Sequence, residues 1–164
     1  MITLILGGAR SGKSALAERM MTKRPGPITY VATMAPSGDP DLLARVVAHQ
    51  RRRPSDWQTV EGLTDLAGVL RRNSGSVLLD SLGPWVAYHD ETPVDVPALC
   101  EALLERVGDT VVVSDEVGLG VHPSSAAGRQ FRDALGSVNY AVADVADEVL
   151  FVVAGRVLRL NGRD

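Results

Sequence analysis

No segment constrains this chain more than Gly7-Gly8-Ala9-Arg10-Ser11-Gly12-Lys13-Ser14. It follows the apolar run Ile2-Thr3-Leu4-Ile5-Leu6 and precedes the helix-forming stretch Ala15-Leu16-Ala17-Glu18-Arg19-Met20. The spacing is G-x-x-x-x-G-K-[ST], the pattern of a loop whose backbone N–H groups cradle phosphate. Glycines let that loop wrap closely where a side chain would block approach. Lys13 brings a positive charge to the terminal phosphates, and the Ser14 hydroxyl is placed to bind Mg²⁺. The N-terminal dipole of the following helix adds to the anion site. A nucleoside triphosphate is the expected ligand.

The rest of the chain repeats the same alternation. β-rich apolar runs recur at Ile2 to Leu6, Ile28 to Ala32, Val77 to Asp80, Thr110 to Ser114 and Val149 to Ala154. Helix-like stretches lie between them: one after the phosphate loop, then about Asp41 to Arg52, Thr64 to Arg72, Val96 to Val107, and Gly128 toward Asp147. Continuous apolar strands joined by helical crossovers predict an α/β fold, a mostly parallel sheet covered on both faces. Val157 to Leu160, after the turn-like Gly155-Arg156, is expected as an antiparallel edge strand. At 164 residues the chain suits one domain, residues 1–164. The net charge of −3, without a long basic block, gives no reason to expect nucleic acid. No apolar run is long enough for a transmembrane helix, and the single cysteine, Cys100, reads as a core thiol in a reducing cytoplasm.

In parallel sheets ligands bind beyond the carboxyl ends of the strands. That rule selects the phosphate loop, Thr33 and its neighbours, Asp80-Ser81 and Asp115-Glu116. Asp80, closing Ser76-Val77-Leu78-Leu79, resembles a Walker B aspartate that holds Mg²⁺ beside Ser14. Asp115-Glu116 competes for the same role, with Glu116 then able to orient an attacking water; for either acid the plain alternative is a cap or turn. The segment Arg45 to Pro54 would place Arg45, His49, Arg52 and Arg53 on one side of a helix. Neighbouring cations favour neutral imidazole, the form needed in a nucleophile or base. The alternative is a solvated helix end, where cations meet the C-terminal dipole.

Several segments together resemble the bifunctional adenosylcobinamide kinase and adenosylcobinamide-phosphate guanylyltransferase family of cobalamin assembly. The carriers are the phosphate loop, Tyr30-Val31-Ala32-Thr33, Arg45 through His49 to Arg53-Pro54, and Trp57, Thr59 and Glu61. They continue in Leu78-Leu79-Asp80-Ser81-Leu82 with Trp85, Glu116 to Val121, Gly128 to Asp133, Gly136 and Asn139. The resemblance implies a P-loop NTPase-like (RecA-like) domain and two reactions in one active region. The cobinamide hydroxyl is phosphorylated from ATP or GTP; GTP then donates GMP to that phosphate through a guanylyl histidine. His49 matches the histidine. Nucleotide contacts implied are Gly7, Gly8, Ala9, Arg10, Ser11, Gly12, Lys13, Ser14, Thr33, Met34, Ala35, Gln50, Arg51, Arg52, Arg53, Glu61 and Asp80, with Mg²⁺ on Ser14 and Asp80. The expected partners are adenosylcobinamide and its phosphate, and the expected assembly a homotrimer. Asp115 stands where the family usually has Asn, and His122 replaces an apolar residue. His89 reads as a surface residue, Trp57 and Trp85 as packing. An ordinary P-loop small-molecule kinase and a nucleotide-dependent switch using Asp115-Glu116 are the rival readings.

Overall fold

A computed structural model of the chain describes residues 1–34, 47, 54–89 and 93–160. Seven strands form one sheet in the order β3-β2-β4-β5-β1-β6-β7. They are β1 (Ile2–Gly7), β2 (Ile28–Ala32), β3 (Gln58–Glu61), β4 (Ser76–Asp80), β5 (Thr110–Asp115), β6 (Glu148–Val153) and β7 (Arg156–Leu160). The described helices are α1 (Lys13–Met21), α2 (Leu66–Arg72), α3 (Leu82–Tyr88), α4 (Val96–Leu104) and α5 (Ala126–Val145). Every strand pairing is parallel except that of β6 with β7, so the antiparallel edge strand expected from the sequence is present.

Burial on both faces explains the uninterrupted apolar runs. All six residues of β1 are buried, and alternate side chains enter opposite cores. Leu4, Leu6, Leu79 and Val112 pack under α2, α3, α4 and α5 through Leu70, Leu82, Trp85, Leu103 and Leu135. Ile5, Leu78, Val111 and Val113 face the other way, against Ala17 and Met21 of α1 and against Trp57. Both tryptophans are therefore packing residues.

Two elements escape the sequence pattern. β3 is Gln-Thr-Val-Glu, too polar to read as a strand, and it forms because it is an edge pairing only with β2. α3 contains Gly83-Pro84, which suggests a break; Pro84 instead occupies the first turn, where its missing N–H costs no helix bond. α5 begins at Ala126, with Ser125 Oγ accepting from the Gly128 N–H, and ends at Val145, slightly earlier at each end than expected. The helix expected over 41–52 lies, but for Val47, outside the described residues.

Two further expectations need correcting. His89 is half-buried, with its Nδ1 2.9 Å from the Trp85 carbonyl and its ring edge-on to Trp85 and Tyr88. It closes α3, whose formation the sequence did not signal. Cys100 is half-buried, with Sγ 3.6 Å from the Ala141 carbonyl, and not fully in the core. Burial still pushes its thiol pKa upward, with Asp144 adding to the shift.

Candidate functional site

The carboxyl ends of β1, β4 and β5 carry the phosphate loop and its acids. Gly7 ends β1 because nothing larger fits: a Cβ there would lie 2.6 Å from both Ser11 Oγ and the Val152 carbonyl oxygen. The loop then turns through Arg10 at φ 57° and Gly12 at φ 99°, the second a conformation suited to glycine. A Ser11 N–H bond to the Gly8 carbonyl, 3.2 Å, closes it, and α1 starts at Lys13. From the far side the β6–β7 turn braces it, since the Gly155 N–H donates to the Ser11 carbonyl at 2.9 Å.

Strand order brings the acids into reach. β5 lies between β1 and β4, and its register pairs Gly7 with Asp115 and Val113 with Asp80. The Ser14 hydroxyl donates to Asp80 Oδ1 at 3.3 Å, across 66 positions of sequence. Asp80 Oδ2 accepts from the Tyr30 hydroxyl at 2.9 Å, so both carboxylate oxygens are oriented. Tyr30 was not singled out for this role from the sequence; its register partner on β4 is Leu78, two residues before Asp80 on the same face. The plain alternative for Asp80, a helix cap, does not apply, because Ser81 holds the cap position of α3.

Ser14 and Asp80 offer two hard oxygen donors, a set that suits Mg²⁺, which keeps waters and substrate phosphates as its other ligands. Among the described residues no group of three or more His, Cys, Asp or Glu could hold a metal without such help.

Asp115 takes a different partner. Its Oδ1 lies 2.6 Å from Lys13 Nζ, which also donates to the Gly8 carbonyl at 3.2 Å. Glu116 points into the following turn, where its Oε1 accepts from the Gly118 N–H at 2.6 Å, and its own N–H bonds the Gly7 carbonyl at 3.1 Å. These contacts make Glu116 an anchor between β5, its loop and the end of β1.

Thr33 is fully buried and exchanges hydrogen bonds with the Ser81 backbone: its hydroxyl donates to the carbonyl at 2.5 Å and accepts from the N–H at 3.0 Å. It ties the end of β2 to the residue after Asp80. Met34 is half-buried and Glu61 exposed at the end of β3, opposite Ala32. Gly8 is half-buried, while Ala9 and Arg10 face solvent at the loop crest. Ala35, His49, Gln50, Arg51, Arg52 and Arg53 lie outside the described residues. His122 is exposed beside Arg132, 2.9 Å from its guanidinium.

Beyond Glu116, a cleft of about 550 Å³ opens between Gly118 and the outer face of α5, lined by Arg132, Asp133, Gly136, Ser137 and Tyr140. On the same helix, buried Asn139 donates to the Asp115 carbonyl at 3.0 Å. No helix of the described residues is long and apolar enough to cross a membrane.

Comparison with known proteins agrees with this architecture. A solved ATPase of the type III secretion system of pathogenic bacteria superposes with a TM-score of 0.58 at 12% identity, over 92% of this chain and 50% of that one. That likeness concerns the fold. The chain is also 38% identical over 168 residues to the bifunctional adenosylcobalamin biosynthesis protein CobP of Pseudomonas aeruginosa, covering 97% of this chain and 96% of that protein. To the bifunctional adenosylcobalamin biosynthesis protein CobU of Salmonella typhimurium it is 31% identical over 177 residues, covering 94% and 97% respectively. With residues 3–160 matched by the family model described as cobinamide kinase / cobinamide phosphate guanyltransferase, the chain belongs to that family.

Proposed function

We propose that this chain performs both reactions of its family at the carboxyl edge of β1, β4 and β5, and that His49 carries the guanylyl group between them. The observation that carries the reading is the convergence of Lys13, Ser14, Asp80 and Asp115 on one phosphate loop in a chain matched to the family over nearly its whole length. β2 ends at that same edge, next to the strand that ends in Asp80.

In the kinase step the cobinamide hydroxyl oxygen attacks the γ-phosphorus of ATP or GTP, and the bond to the departing nucleoside diphosphate breaks. In the second reaction a neutral His49 nitrogen attacks the α-phosphorus of GTP and pyrophosphate leaves. The cobinamide phosphate oxygen then attacks that phosphorus, the N–P bond breaks, and the imidazole is regenerated. Lys13 and the loop N–H groups stabilise the charge gathering on the leaving oxygens. Ser14 and Asp80 would hold a Mg²⁺ ion, which would supply further charge neutralisation there. Tyr30 keeps Asp80 aimed, and Thr33 keeps the backbone beyond it in place.

Glu61, Met34, Ala35 and Gln50 to Arg53 complete the proposed nucleotide contacts. The enzyme is read as cytoplasmic and homotrimeric, the first supported by its single thiol and the second by the family resemblance; light scattering on the purified chain tests the assembly. Incubation with Mg²⁺ and GTP followed by intact-mass and peptide analysis tests the central step. A GMP-sized adduct on His49, lost in His49→Ala, is expected; turnover without an adduct would reject the histidine route and favour a different transfer mechanism.

A further inference from the structure

We propose that Asp115 competes with the nucleotide phosphates for Lys13 and thereby sets how strongly the loop holds the charge of the β- and γ-phosphates. The inference rests on the phosphate-loop reading above and assigns to it a residue with an opposing role.

Three contacts fix Asp115. Its carbonyl is held by the Asn139 side-chain amide at 3.0 Å. Its backbone belongs to β5 and pairs in register with Gly7, the first residue of the loop. Its other carboxylate oxygen rests against α3, where a Cβ on Gly83 would come within 3.1 Å of Oδ2. The carboxylate is thus a fixed charge facing Lys13 Nζ at 2.6 Å, and the pair is partly shielded, with side chains 12% and 34% exposed.

An ammonium has three donors and no preferred plane, so it can exchange acceptors without rebuilding its surroundings. Lys13 spends one donor on the Gly8 carbonyl and another on Asp115. A triphosphate in the loop needs that same charge, so it must outbid a carboxylate already in place. The arrangement lowers affinity for any ligand carrying β- or γ-phosphate, whatever its base. It also gives Lys13 an acceptor as a charged product departs.

The test is titration calorimetry of the full chain with β,γ-imido GTP, GDP and guanosine, each with Mg²⁺ and with EDTA, for the parent chain, Asp115→Asn and Asp115→Ala. Both variants remove the charge; the asparagine keeps the shape, and a thermal melt verifies folding. We expect about tenfold tighter binding of the two phosphorylated ligands in both variants, in both metal conditions, with guanosine unchanged. Unchanged affinity overturns the proposal. Weaker binding confined to the Mg²⁺ arm also overturns it and makes Asp115 a metal ligand instead. If the parent chain binds none of the three ligands, the phosphate-loop reading itself falls; if it binds them and the variants do not bind tighter, only the role of Asp115 falls.

Discussion

Two cations hold opposite ends of the same sheet, and their partners differ in kind. At the carboxyl edge, Lys13 faces one carboxylate and one loop carbonyl. At the amino edge, Arg106, just after α4, spreads its guanidinium over the chain between α2 and β4. Nη1 donates to the carbonyls of Leu70, at 2.6 Å, and Asn73, Nη2 to that of Gly75, and Nε to Thr110 Oγ1 at 2.9 Å. Burial lowers the Arg106 pKa, yet the group is satisfied by neutral oxygens from α2, its loop and β5. Its planar fork suits several fixed acceptors, whereas the lysine's single point of charge suits acceptors that come and go. The contrast separates a cation that builds the fold from one available to a substrate.

Substitution of each cation is the strongest way to break that contrast. Lys13→Ala is expected to lower both activities about 10²- to 10³-fold, as loss of one donor to a developing oxyanion does. Its thermal midpoint should move by no more than about 2–4 °C, since Asp115 is then left partly in water. An equally large loss of stability would erase the distinction. Arg106→Ala should do the reverse: about 3 kcal/mol of stability lost, seen as a lower midpoint in urea unfolding, because carbonyls at the end of α2 lose a charged donor. Activity per folded molecule should stay near the parent value at low temperature. Thr110→Val sharpens the point with the smallest effect, about 1 kcal/mol for one hydrogen bond, again with unchanged turnover. A fall in turnover without a fall in stability in either variant would mean that the amino edge also serves the reaction.

The degree to which each end was legible follows from how local its information is. The phosphate loop announces itself in eight consecutive residues, because glycine positions, lysine and serine all act within one turn of chain. Asp80 was found by its position after an apolar run, and the structure supplies its link to Ser14. In the sequence Asp115 reads as a rival metal-holding acid or as a cap or turn residue. That it faces Lys13 depends on β5 lying beside β1, which no spacing records. Tyr30 stands in a segment that resembles the family, but its hydroxyl's task arises from the pairing of β2 with β4. Arg106 gave no signal at all, since an arginine after a helix ordinarily points to water.

By itself the sequence determined the strand–loop–helix at residues 2–21, the alternation that makes an α/β sheet, and the family to which the chain belongs. Those features come from short-range sterics, from periodic burial and from residues matched along the chain. The tertiary structure alone decided the strand order, the pairing of Ser14 with Asp80 and of Lys13 with Asp115, and the formation of β3 and α3 against local signals. The reason is physical: neighbours in a parallel sheet are joined by long crossovers, so which strand ends meet is set by packing of the whole core rather than by adjacent residues.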